Sequence, residues 1–101
     1  MYRTLRPCAP MALIREKTLE AYLVRRVRNQ GGICIKLASP GHAGLPDRLA
    51  ILPGGRVTFV EVKAPGRKPR PLQQHFIFLL THLGCVATWV DSKEAIDALF
   101  P

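Results

Sequence analysis

Apolar positions along the chain change their period several times, and each change marks an element. Between about residues 11 and 29, Leu19, Leu23 and Val27 recur at i, i+4 and i+8 with Tyr22 and Val24 beside them. That spacing predicts an amphipathic helix. Gln30-Gly31-Gly32 supplies its stop, because glycine accepts the left-handed conformation that ends helices. Residues 33–37 are short, apolar and β-branched around Lys36, which predicts a strand. Residues 39–46 hold glycines and prolines that break regular structure, so they read as a loop. Strands follow at 48–52 and 56–63, joined by Pro53-Gly54-Gly55 as a hairpin. Val57, Phe59, Val60 and Val62 put apolar side chains on both faces of the second, as in a central strand covered on each side. A basic loop at 64–71 leads to a second helix at 72–83, ended by Gly84. A fourth strand at 85–90 and a final helix at 92–100, with Ser92 as its N-cap, complete the chain.

The resulting order is α-β-β-β-α-β-α, an α/β architecture with a mixed four-stranded sheet and flanking helices. Residues 1–10 read as a flexible arm and 11–101 as a single domain, since 101 residues leave no room for a second core. No apolar run approaches the ~18 residues of a membrane-spanning helix. The first ten residues lack the apolar stretch of a signal peptide. Cys8, Cys34 and Cys85 are odd in number and widely spaced, which fits reduced thiols in a cytoplasm rather than a disulfide framework or a zinc site.

Charge changes the picture more. Fifteen Lys and Arg stand against seven Asp and Glu, a formal net charge of +8. Three of the acids (Asp91, Glu94 and Asp97) lie in the last eleven residues. The rest of the chain therefore has only Glu16, Glu20, Asp47 and Glu61 among its many bases. Such an excess favours a polyanionic partner, most commonly nucleic acid. The informative residues are then the four acids that persist.

A three-residue turn centred on Gly54 sets Leu52 opposite Arg56 and, counting outward, Asp47 opposite Glu61. Directly opposed side chains share a face and lie about 5 Å apart. Lys63, two residues beyond Glu61, falls on that face roughly 7 Å further along. A two-residue turn would shift the register and spoil the alignment. On its own Glu61-Val62-Lys63 is no more than an edge strand of alternating charge. In a strand apolar on both faces, however, unpaired charges are costly, and two adjacent carboxylates repel unless a cation lies between them. All-oxygen ligands select a hard ion such as Mg²⁺ or Mn²⁺. Glu20 sits on the apolar stripe of the first helix, so it either snorkels outward or points into a polar site. Glu16 is one turn earlier on much the same face. Glu20 is favoured and Glu16 stays open.

With these residues in place, the sequence resembles the PD-(D/E)XK nucleases. Gly44-Leu45-Pro46-Asp47 is followed, after thirteen residues, by Glu61-Val62-Lys63. The fuller set is similar to the virus-type replication-repair nuclease (VRR-Nuc) family within that superfamily. It comprises the helical glutamate, Gly31-Gly32, Lys36, Pro40-Gly41, Asp47-Arg48, the stretch from Phe59 to Gly66, and Leu72-Gln73. The resemblance spans roughly residues 14–91. It implies a restriction-endonuclease-like fold, with Asp47, Glu61 and Glu20 as metal ligands and Lys63 as the water-orienting or charge-stabilising base. Gln73 would line the site. Arg67-Lys68-Pro69-Arg70-Pro71 is more basic and proline-rich than the family pattern.

The expectation is thus a Mg²⁺- or Mn²⁺-dependent endonuclease acting on branched DNA, four-way (Holliday) junctions above all, as a homodimer in a bacterial or phage-infected cytoplasm. Superfamily resemblance further implies 5′-phosphate and 3′-hydroxyl products. Lys36, Arg48, Arg67, Lys68, Arg70, Arg25 and Arg26 are the candidate DNA contacts. They would position phosphates without reading sequence. A non-catalytic DNA-binding module and a nuclease for flaps or single strands are the rival readings. His42, His75 and His82 form no zinc pattern.

Overall fold

The computed structural model describes residues 15–38 and 41–101. The elements run α1 (Glu16–Asn29), β1 (Ile33–Lys36), β2 (Arg48–Leu52), β3 (Arg56–Val62), α2 (Pro71–His82), β4 (Val86–Val90) and α3 (Lys93–Leu99). This is the expected order, with most boundaries moved by a residue or so; the first helix starts at Glu16 rather than near residue 11, because Arg15 is extended at its N-cap. The arm at 1–10, the first residues of the expected helix and Cys8 lie outside the described residues. Helix α2 starts at Pro71, one residue early, because proline's fixed φ suits the first helical position. β1 stops at Lys36, although the Leu37 amide still donates to the Asp47 carbonyl at 2.6 Å. Ser92 caps α3 as expected, its Oγ accepting from the Ala95 amide at 3.0 Å.

The sheet has the order β1-β2-β3-β4, with the first three strands antiparallel and β4 parallel to β3. Leu52 faces Arg56 across the three-residue turn, so the register is the one that the Pro53-Gly54-Gly55 spacing predicts. Gly54 and Gly55 have φ of +86° and +74°, values that a side chain would make strained. Gly44 is required for a different reason. A Cβ there would stand 2.7 Å from Leu72, so the loop before β2 can lie flat on α2 only because no side chain intervenes.

The two faces of the sheet are unlike. Leu19, Leu23 and Val27 of α1 pack with Ala50, Leu52, Val60, Val62 and Val90 from one face, and Ile96 and Phe100 close that core. The opposite face carries Ile33, Ile51 and Val57 in one cross-strand row and Ile35, Leu49 and Phe59 in the next. Helix α2 packs mainly on β4 and reaches the end of β3 at Glu61, leaving the outer part of the sheet open on this side. Ile33, Ile35 and Val57 stay 57%, 40% and 40% exposed. β3 is the inner strand that its composition predicts, but its outer half is covered on one side only.

Candidate active site

The hairpin register, continued one step past Arg48 and Val60, brings Asp47 opposite Glu61. The Asp47 amide donates to Glu61 Oε1 at 3.1 Å. Glu61 is only 1% exposed, and its other oxygen is also engaged. Gln73 Nε2 donates to Glu61 Oε2 at 3.0 Å, and Lys63 Nζ stands 3.3 Å from the same atom. Gln73 can do this because its own Oε1 accepts from the Arg70 amide at 2.8 Å, which fixes the side chain at the start of α2. Lys63 is steadied by its amide, which donates to the Val90 carbonyl at 2.9 Å.

Burial pushes the Glu61 carboxyl above its ordinary range, and the neighbouring Asp47 charge raises it further. The Lys63 ammonium and the hydrogen bonds from Lys63 and Asp47 pull it back down. On balance the charged form of this carboxyl is disfavoured, chiefly by burial.

Helix α1 adds two carboxylates. Glu16, Glu20 and Asp47 each offer an oxygen, all within 4.8 Å of one another, and all three side chains are half-buried. Glu16 and Glu20 are four residues apart and so lie on the same helical face. Both glutamates that the helical pattern offers thus stand beside Asp47. Arg48 answers one of them, Nη2 lying 2.9 Å from Glu20 Oε1. Its Nε is buried with no hydrogen-bond partner among the described residues. Three converging carboxylates with one guanidinium favour a further cation. An all-oxygen donor set suits a hard divalent ion, so these residues fit the metal that the sequence motif implies.

Comparisons with known proteins bear on the fold and the family. No protein-family model matches the chain. A protein named "Putative nuclease p44", from Acyrthosiphon pisum secondary endosymbiont phage 1, is 49% identical over 89 residues, spanning 88% of this chain and 96% of its own. A solved structure described as a VRR_NUC domain superposes with a TM-score of 0.78 at 34% identity, covering 83% of this chain and 91% of that one. The chain belongs to the VRR-Nuc family. It has the VRR-Nuc fold and is a nuclease of that type, with DNA as the implied substrate and a divalent metal implied by the fold.

The candidate DNA contacts of this VRR-Nuc domain divide into three groups. Arg67, Lys68 and Arg70 are exposed on the loop after β3 and, with Glu16, Lys63 and Ala64, line a cleft of about 190 Å³ over the site. Lys36 is exposed on the edge strand β1, paired across from Arg48. Arg26 is committed elsewhere. Its Nε donates to the Phe100 carbonyl at 2.9 Å, and Nη1 lies 3.4 Å from Asp97. Arg25 lies over the Tyr22 ring at 5.6 Å, and Tyr22 itself donates to Asp97. These two arginines belong to the junction of α1 with α3, which a helical pattern alone could not reveal. Among the described residues no helix is long and apolar enough to cross a membrane.

Proposed function

We propose that this VRR-Nuc protein is a divalent-metal-dependent endonuclease that cuts branched DNA, with four-way junctions as its substrate and a homodimer as its working form. The observation that carries this reading is the convergence of Glu16, Glu20 and Asp47 beside the buried Glu61–Lys63 pair, under a cleft rimmed by Arg67, Lys68 and Arg70.

Asp47, Glu20 and Glu61 would hold Mg²⁺ or Mn²⁺, with Glu16 beside them, and the chemistry supplied there is polarisation of the scissile phosphate and a lowered pKa for water. Lys63 sets a positive charge at the edge of the buried carboxylate. From there it orients the attacking water and offsets the charge that grows on the phosphoryl oxygens. Gln73 keeps Glu61 aimed, and Asp47 is aimed in turn through its own amide. Arg67, Lys68 and Arg70 bind flanking phosphates, so affinity falls steeply with salt. The products carry 5′-phosphate and 3′-hydroxyl ends.

The homodimer is supported by the open face of the sheet. Ile33, Ile35, Val57, Leu49, Ile51 and Phe59 form an uncharged surface on a chain of net charge +8. Contiguous apolar patches of this kind mark interfaces more often than free surface. Two copies related by a two-fold axis would bring two active sites to the two strands of a symmetric junction. Its place of action is the cytoplasm of a bacterial or phage-infected cell.

A panel of labelled junction, flap, duplex and single strand, incubated with Mg²⁺ or Mn²⁺, tests the substrate, and light scattering tests the dimer. Paired symmetric cuts in the junction and the mass of two chains support the proposal. A preference for flaps or single strands, or the mass of one chain, removes the corresponding part. Tight binding with no cutting in either metal would leave a DNA-binding module.

A further inference from the structure

A second groove runs alongside the catalytic cleft, and Lys68 lines both. It has a volume of about 340 Å³ and is bounded by Lys68, Pro69, Gln74, Ile77, Phe78 and Trp89. Trp89 is the residue opposite Glu61 in the β3–β4 ladder, so the groove begins one strand away from the buried carboxylate. Phe78 is 69% exposed, with its ring nearly parallel to that of His82 at 15° and a centroid distance of 6.1 Å. Among the described residues no acidic side chain lines the groove, and its charged wall is the basic loop at Lys68.

We propose that this groove receives an unpaired nucleobase of the DNA strand whose backbone crosses the catalytic cleft. Two features choose this occupant. Lys68 lines both the groove and the cleft, so a strand with a phosphate at Lys68 carries its neighbouring bases past Phe78 and Trp89. The chemistry is also complementary, with aromatic faces for a base next to ammonium and guanidinium groups for its phosphates. Base-on-aromatic stacking of this kind accepts any sequence, because every base has a π-face. A base inside a continuous duplex is already stacked and paired and offers no free face. The groove therefore selects DNA with an unpaired or easily unstacked nucleotide beside the cut, as a branch point provides. The inference rests on the nuclease reading and narrows its substrate.

The test measures binding of the full chain to a labelled branched DNA in chelator, where no cutting occurs. Wild type is compared with Phe78→Ala, on DNA with every base present and on DNA made abasic at one nucleotide at a time around the branch. Phe78→Ala is expected to weaken binding to intact DNA about tenfold, the effect of losing one stacked base. One abasic position should weaken wild type equally, and the two changes together should cost no more than either alone. Phe78→Tyr should restore binding, which a merely misfolded variant would not. Trp89 is the chain's one tryptophan, so its emission should be quenched by intact DNA and less by that abasic strand. Equal affinities of wild type and Phe78→Ala, or losses that simply add at every position, overturn the proposal. So does a change in mass from two chains to one with Phe78→Ala, which would make the groove a protein interface. Absence of cleavage with Mg²⁺ or Mn²⁺ would defeat the nuclease reading, yet leave this coupling measurable.

Discussion

The two faces of the sheet are built from similar residues and have opposite fates. Leu23, Val27, Val60 and Ile96 on the α1–α3 side are fully buried, whereas Ile33, Ile35 and Val57 on the other side are open. Stability comes from the first face. The second is closed only where α2 meets the sheet, and there Gln73 reaches Glu61. The difference shows a small nuclease using one layer of its fold to hold itself together. The other layer is left for the site and its partners.

Substitutions should separate these faces, and the largest effect belongs to the closed one. Leu23→Ala removes a fully buried side chain from the middle of the core and is expected to cost about 2–5 kcal/mol in denaturant unfolding. Ile35→Glu on the open face should change the unfolding of the isolated chain by less than about 1 kcal/mol. It should shift light scattering from two chains towards one. If Ile35→Glu instead unfolded the chain, the open face would be part of the core.

The site end of the sheet differs again, through pH. The folded-state pKa of Glu61 is raised above its ordinary 4.5. A raised carboxyl contributes stability that is complete below the unfolded-state value and is lost as pH rises through the folded one. In chelator the melting temperature should therefore fall as pH climbs upward from about 4.5, the ordinary carboxyl value. Glu61→Gln should flatten that slope, and added Mg²⁺ should raise the melting temperature more at pH 7 than at pH 5. A wild-type slope unchanged in Glu61→Gln would place the titration elsewhere.

The smallest effects distinguish two arginine-rich regions. Arg26→Ala loses the tie to Phe100 and Asp97, costing about 1 kcal/mol of stability. It should leave DNA affinity unchanged. Lys68→Ala should do the reverse, weakening DNA binding on every sequence and reducing the salt slope by about one. Equal losses of DNA affinity in both variants would mean that Arg26 leaves α3 to reach phosphate.

Much of this was legible in the chain. Pro53-Gly54-Gly55 sets the register that brings Asp47 opposite Glu61, because turn length and strand pairing are local. Ser92 before α3 is legible for the same reason, whereas Gln73 at the start of α2 was legible only through the family resemblance. What the chain conceals is long-range. Glu16 and Glu20 share a helical face, and only the placement of α1 against the start of β2 brings both to Asp47. Arg26 reads as a free base until α3, more than seventy positions later, folds back on it. β3 reads as covered on both sides because apolar pattern reports a preference for burial. It cannot tell whether the cover comes from the same chain. Phe78 on α2 shows the same limit, since a large apolar side chain there stands in solvent.

The central claim is that the carboxylates around Asp47, with the Glu61–Lys63 pair, form a hydrolytic centre. Its most direct test is single-turnover cleavage of a labelled four-way junction with Mg²⁺ or Mn²⁺ by wild type, Asp47→Ala and Lys63→Ala. The account predicts cutting by wild type that falls at least about a hundredfold in each variant, the scale of losing one transition-state contact, while both still bind the junction. Cutting that survives both substitutions would contradict it and place the chemistry elsewhere.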